Sequence, residues 1–146
     1  ERVMENMQVG AQIMGLDLNR HSNAHIARAA QEGIAFSMRY GIDIMGELGL
    51  KPKVIRAGNA NMFLSPIFRT TLATLCDVEI ELLNTDGSLG AARGAALGAG
   101  IFESADKAFE SLKVVDRITP DKNIKENLEQ AYALWCERLS KFSKHQ

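Results

Sequence analysis

Residues 54–101 constrain the fold more than any other stretch. Their apolar runs and turn residues alternate in the order strand, loop, helix, strand, turn, helix. After Lys51-Pro52-Lys53 a short apolar run opens at Val54-Ile55 and ends in Ala57-Gly58-Asn59-Ala60-Asn61. Glycine and asparagine leave a strand sharply, or take positive φ, at little cost. Ser65 is a good N-cap and Pro66 a good first helical residue, which predicts a helix over 66–76. Val78–Leu83 alternates apolar with acidic side chains until Leu83, the pattern of a strand near a sheet edge. Asn84-Thr85-Asp86-Gly87 predicts a turn, Ser88 a cap, and Leu89–Phe102 a further helix. Parallel strands joined by helices on a right-handed path make an α/β layer.

A strand that ends in a Gly/Asn loop and feeds a helix is how α/β proteins hold a nucleotide or another anion. The missing Cβ of Gly58 lets a ligand approach the backbone, and the next helix start offers N–H groups. Neither GxGxxG nor GxxxxGK[ST] is present. On spacing alone, an ordinary tight strand-to-helix turn stays open beside the nucleotide reading.

Upstream, residues 23–48 predict the longest helix, capped by Ser22 or Asn23. At ~100° per residue, Ile26, Ala30, Gly33, Ser37, Gly41, Ile44 and Leu48 fall on one side. Arg28, Glu32, Arg39, Asp43 and Glu47 fall on the other. The small residues of the first stripe predict close approach of another backbone. The i,i+4 pairs Arg28–Glu32 and Arg39–Asp43 predict a solvated face rather than a carboxylate site. His25, in the first turn, has no carboxylate or nucleophile at catalytic spacing, and reads as a packed or capping histidine rather than a base. Gly49 is a candidate left-handed cap and Pro52 prevents continuation. Before this helix, Gly10 and Gly15 break any long helix, and Val9 and Ile13-Met14 fit strand or loop.

Downstream, Gly90, Gly94 and Gly98 recur at every fourth position, which predicts close packing against a sheet or a second helix. Ser104–Pro120 is mixed and polar, with a candidate helix over Ala105–Lys113. Ile124–Phe142 predicts an amphipathic helix anchored by Trp135, and Ser140–Gln146 a frayed tail.

At 146 residues the chain has the length of one domain. A net charge of −1 argues against nucleic acid as the main partner, which calls for clustered Lys and Arg. Cys76 and Cys136 lie far apart, outside any CxxC and without zinc spacing to His21, His25 or His145, so they read as reduced thiols of a cytoplasmic protein. No apolar run approaches the ~20 residues of a membrane span, and no signal peptide is visible. A start at Glu1, directly in patterned sequence, is the expectation of a segment cut from a longer polypeptide.

The stretch 54–101 resembles the C-terminal half of the FGGY carbohydrate kinases, the xylulokinases most closely. Val54–Gly58 resembles that family's strand and Gly58–Asn61 its adenosine loop. Ser65-Pro66 resembles its helix start, Leu72-Ala73-Thr74 its "LAD" and Leu89–Ala92 its "LGAA". HIARAAQEG over His25–Gly33 resembles the family's "H..RA..EG" helix, Gly15-Leu16 the preceding "GL", and Glu1-Arg2 the end of its "GER". The sequence departs from the family in carrying Asn59 at its second loop glycine and a longer loop before Ser65.

The resemblance implies part of domain II of the ribonuclease H-like, actin-like ATPase fold, with helices packed on a small mixed sheet. It implies that 1–146 is the C-terminal domain of an ATP-dependent carbohydrate kinase, without the N-terminal sugar-binding lobe and its catalytic base. D-xylulose is the implied sugar, with ATP, and Mg in the complete enzyme. Ala57, Gly58, Asn59, Asn61 and Ser65 are the implied nucleotide contacts. No catalytic or metal-ligating residue is implied within the chain, nor any nucleic-acid or membrane partner, and a homo-oligomer stays open. The alternative is an interaction or oligomerisation module on a nucleotide-fold scaffold. A different actin-like ATPase is a third reading, against which RAAQEG argues.

Overall fold

The computed structural model describes residues 10–142. Glu1-Arg2 and residues 143–146 of the expected tail lie outside the described residues. Three strands form one mixed sheet in the order β1, β2, β3. β1 (Val54–Gly58) and β2 (Glu79–Leu83) run parallel, with Val54 opposite Glu79 and Gly58 opposite Leu83. β3 (Val114–Ile118) lies antiparallel on the far side of β2, with an irregularity at Leu82/Leu83. Five helices accompany the sheet: α1 (Asn23–Glu47), α2 (Pro66–Cys76), α3 (Gly87–Gly98), α4 (Ala105–Phe109) and α5 (Lys122–Phe142). A short 3-10 helix, Asn61–Leu64, sits between β1 and α2.

α2 is the centre of the packing. Pro66 takes its first position, and the Ser65 hydroxyl accepts from the Phe68 N–H at 3.4 Å. The helix stops at Asp77, which turns left-handed at φ 53°. One face of α2 carries Phe68, Leu72 and Ala73 into a core with Ala35 of α1 and Ile80 and Leu82 of β2. Leu75 joins a second core with Phe36 of α1 and Leu128 and Tyr132 of α5. The buried Thr74 hydroxyl accepts from the Asp121 N–H at 3.0 Å and so fixes the approach to α5. Trp135 anchors α5 as expected, with its ring centroid 6.2 Å from Phe36, 6.1 Å from Tyr40 and 6.0 Å from Tyr132.

Four expectations are corrected. First, α1 turns the opposite face inward. Ala35 and Phe36 are its buried residues, whereas Ile44 and Leu48 of the expected stripe are 46% and 75% exposed. α1 carries apolar side chains on more than one side, so periodicity cannot choose the face; packing against α2 and β2 at Ala35, and against α2 and α5 at Phe36, does. Second, Arg39 and Asp43 therefore belong to an interface rather than a solvated face. They pair at 2.6 Å, Arg39 reaches Glu129 at 3.5 Å and lies over the Tyr132 ring at 5.5 Å, and the Tyr132 hydroxyl donates to Asp43 at 2.7 Å. Third, the glycines expected to admit a neighbouring backbone do not. A Cβ at Gly33, Gly41, Gly90, Gly94 or Gly98 would meet nothing within 4 Å among the described residues. Fourth, Val114–Ile118, read as mixed polar sequence, is a strand, and α4 before it is only five residues long.

Boundaries shift for local reasons. α3 starts at Gly87 because Asp86, not Ser88, is its cap, with its carboxylate accepting from the Leu89 N–H at 2.8 Å. It ends at Gly98, before Gly100 at φ +72°. Gly49 closes α1 at φ +82°, as expected. α5 continues through Ser140 to Phe142, where a frayed tail was expected.

Candidate functional site

Parallel β1 and β2 end together, at Gly58 and Leu83, so their C-terminal ends open on one side of the sheet. Open α/β sheets bind ligands outside such strand ends. Beyond Gly58 the chain folds tightly: the Asn59 N–H donates to the Leu83 carbonyl at 3.0 Å and the Ala60 N–H to the Gly58 carbonyl at 2.8 Å. Asn61 then turns left-handed at φ 53° and starts the 3-10 helix. Asparagine tolerates that conformation better than most residues.

Gly58 is required by contact. A Cβ there would lie 2.6 Å from the Thr85 carbonyl oxygen and 3.2 Å from the Asp86 Cα. The β1 end and the β2–α3 turn thus touch through backbone. Beside them a cavity of about 440 Å³ opens to solvent. Ala57, Gly58, Ala60, Asn61, Met62 and Phe63 form its base, Ile34 and Met38 of α1 one wall, and Phe68 and Gly87 the remainder. Phe63 meets Phe68 edge-on with centroids 5.3 Å apart, which stiffens the base. Among the described residues no charged side chain lines the cavity. Its size, and its apolar lining with one carboxamide, suit a flat, uncharged group.

Three of the five expected contacts, Ala57, Gly58 and Asn61, line the cavity. Asn59 and Ser65 are not among its lining residues. Asn59 is exposed and gives its N–H to the ladder; the Ser65 hydroxyl donates to Gln31 Oε1 at 2.5 Å and caps α2, tying that helix to α1. The wall residues Ile34 and Met38, and the base residues Met62 and Phe63, were missed. The signal for the wall was the second apolar side of α1, which carries Ile34 and Met38 as well as the expected stripe.

The remaining polar groups are structural. His25 Nδ1 accepts from the Ser22 N–H at 3.1 Å, so this histidine caps α1. Glu81, 7% exposed on β2, receives Arg56 at 2.8 Å and Arg117 at 2.5 Å, and the Arg56 hydrogen bond holds its carboxyl below the usual range. Burial pushes the Cys76 thiol up to about 11, so it stays protonated at neutral pH. Among the described residues no three His, Cys, Asp or Glu side chains group as metal ligands. No helix among them is long and apolar enough to cross a membrane.

The mixed three-stranded sheet, the helices packed on it and the cavity at its strand ends make an α/β unit whose fold is that of the sugar kinases it matches. The chain belongs to the FGGY family of carbohydrate kinases, and its residues 2–102 match that family's C-terminal domain. It is 30% identical over 146 residues to a xylulose kinase from Haemophilus influenzae, covering 96% of the chain and 29% of the relative. Among solved structures, a xylulose kinase from Rhodospirillum rubrum matches with a TM-score of 0.65 at 24% identity, covering 91% of the chain and 28% of that one. A gluconate kinase from Lactobacillus acidophilus matches with a TM-score of 0.69 at 21% identity, covering 89% of the chain and 26% of that one. The chain spans less than a third of the length of these relatives.

Proposed function

We propose that this chain is the nucleotide-binding part of a cytoplasmic carbohydrate kinase that transfers the γ-phosphate of ATP to a sugar hydroxyl, with D-xylulose as the sugar. The observation that carries the reading is the uncharged cavity at the ends of β1 and β2, within a chain of the FGGY family. Adenosine is the occupant this reading assigns: Ile34, Met38, Met62 and Phe63 are apolar lining for the base, and the Asn61 carboxamide offers a donor and an acceptor. Ala57 and Gly58 contribute lining to the cavity, but the space left by the missing Cβ of Gly58 is taken by the Thr85 carbonyl and not by a ligand. Ser65 acts indirectly, by holding α2 and α1 as two sides of the same cavity.

Phosphoryl transfer also needs a base for the hydroxyl proton and a cradle for phosphate and metal. On this reading the chain contributes the nucleotide grip, and the base and the Mg, carried on the ATP phosphates, belong to the rest of the enzyme. Residues 1–146 alone bind ATP weakly and phosphorylate no sugar. The test is a kinase assay on the native-length protein with ATP and a panel of D-xylulose, gluconate and glycerol. D-xylulose should have the highest kcat/KM; preference for another sugar overturns that choice, and no ATP binding overturns the whole reading.

The second reading, a non-catalytic interaction or oligomerisation module, is favoured by one observation. α1 exposes Ile34, Met38, Ile44, Met45 and Leu48, and β1 has no strand on its outer edge among the described residues. A native-length protein that self-associates and ignores ATP selects this reading.

A further inference from the structure

Arg93 does not line the cavity, but it is hydrogen-bonded to the turn that leads into the lining residue Gly87. Gly87 lines the cavity directly, and the turn before it presses the Thr85 carbonyl against Gly58. That turn is tied to the segment leading into β3 at two points. Asn84 Nδ2 donates to the Ser111 carbonyl at 3.3 Å, and the Lys113 N–H donates to Asn84 Oδ1 at 2.6 Å. Arg93, on α3, supplies the second tie: Nη1 donates to the Thr85 hydroxyl at 2.9 Å and Nη2 to the Ser111 hydroxyl at 3.2 Å. The Thr85 hydroxyl in turn donates to the Asp86 carbonyl at 3.3 Å.

Among the described residues Arg93 forms no ion pair; its guanidinium bridges two neutral hydroxyls. A planar fork with fixed donor directions sets geometry where a flexible ammonium would not. The Thr85 N–H also donates to the Leu83 carbonyl at 2.7 Å, so loss of the Arg93 bonds leaves the backbone of Thr85 anchored and releases its side chain, while Gly58 blocks any shift toward β1. For the turn beyond Thr85 the free direction is outward, which carries Gly87 away from the cavity.

We infer that Arg93 is a positioning residue of the nucleotide site: through Thr85 and Ser111 it holds the Thr85–Gly87 turn against Gly58 and so sets the width of the cavity. The inference rests on the nucleotide reading given above. It is tested in the native-length protein with a non-hydrolysable ATP analogue, by calorimetry, beside a melting curve without nucleotide. R93A should weaken analogue binding about threefold to tenfold, the size of one or two neutral hydrogen bonds expressed as an affinity ratio. T85V should weaken it comparably, the double variant should be no weaker than R93A alone, and R93K should recover part of the loss. R93A that melts earlier but binds the analogue as the unaltered protein does would overturn the inference and leave the nucleotide reading standing. An unaltered protein that binds no analogue removes both. Should R93A fail to fold, T85V and R93K decide: unchanged affinity in both overturns the inference.

Discussion

At Gly58 there is no room for a methyl group. The constraint comes from Thr85 and Asp86 and not from a left-handed backbone, so every larger residue meets the same obstacle. Gly58→Ala should cost about 1–3 kcal/mol of stability through overpacking, read as a lower urea midpoint, and weaken ATP binding in the same protein. Glu81 makes a different demand. Arg56 and Arg117 hold its carboxyl below its ordinary value, so its contribution is complete above the unfolded pKa of about 4.3 and disappears as pH falls through the lowered folded value. Urea midpoints measured from about pH 6 down to about pH 2 should fall, and Glu81→Gln should flatten that acid limb. An unchanged limb would show that Arg56 and Arg117 do not stabilise the ionised form.

Among the elements, α2 joins both cores, so its truncations should be the most damaging. Leu72 is fully buried between α1 and the sheet, and Leu72→Ala should cost about 2–5 kcal/mol. Tyr132→Phe tests the α1–α5 contact. It removes the hydrogen bond to Asp43 and keeps the ring under Arg39, so about 0.5–1.5 kcal/mol should be lost in chemical denaturation. How far these elements were legible follows from where their signals lie. Ser65-Pro66 is local chemistry, and α2 begins where it says. The β1–loop–α2–β2 order and three lining residues were also legible, since glycine, asparagine and strand length mark them locally. The inward face of α1 was not, because the choice between its two apolar sides is made by residues distant in sequence, Phe68, Leu72 and Leu75 of α2 together with Tyr132 and Trp135 of α5. β3 was hidden for a related reason. Val114–Ile118 shows no clean alternation, and its place depends on pairing with β2 and on Arg117 reaching Glu79 at 2.6 Å and Glu81.

For the molecule as a whole, exposed apolar side chains cluster on α1 and on the N-terminal segment, where Ile13, Met14, Leu16 and Leu18 are all open to solvent. Residues 10–142 produced alone should therefore bind a dye that reports exposed apolar surface, and the native-length protein of the proposed reading should bind less of it per molecule. Equal dye binding by both would place those faces in solvent in the complete protein.

α3 has no buried residue and its glycines look onto open space, yet it carries both Gly87 and Arg93. One boundary of the proposed nucleotide site is thus built on a helix that buries no residue among the described ones. In amide-exchange terms, α3 belongs to the first unit to open and α2 to the last. On the proposed reading, a nucleotide against Gly87 should shift that ordering at α3 alone, and slowed exchange over residues 87–98 would then be a meter of occupancy that needs no turnover and no knowledge of the sugar.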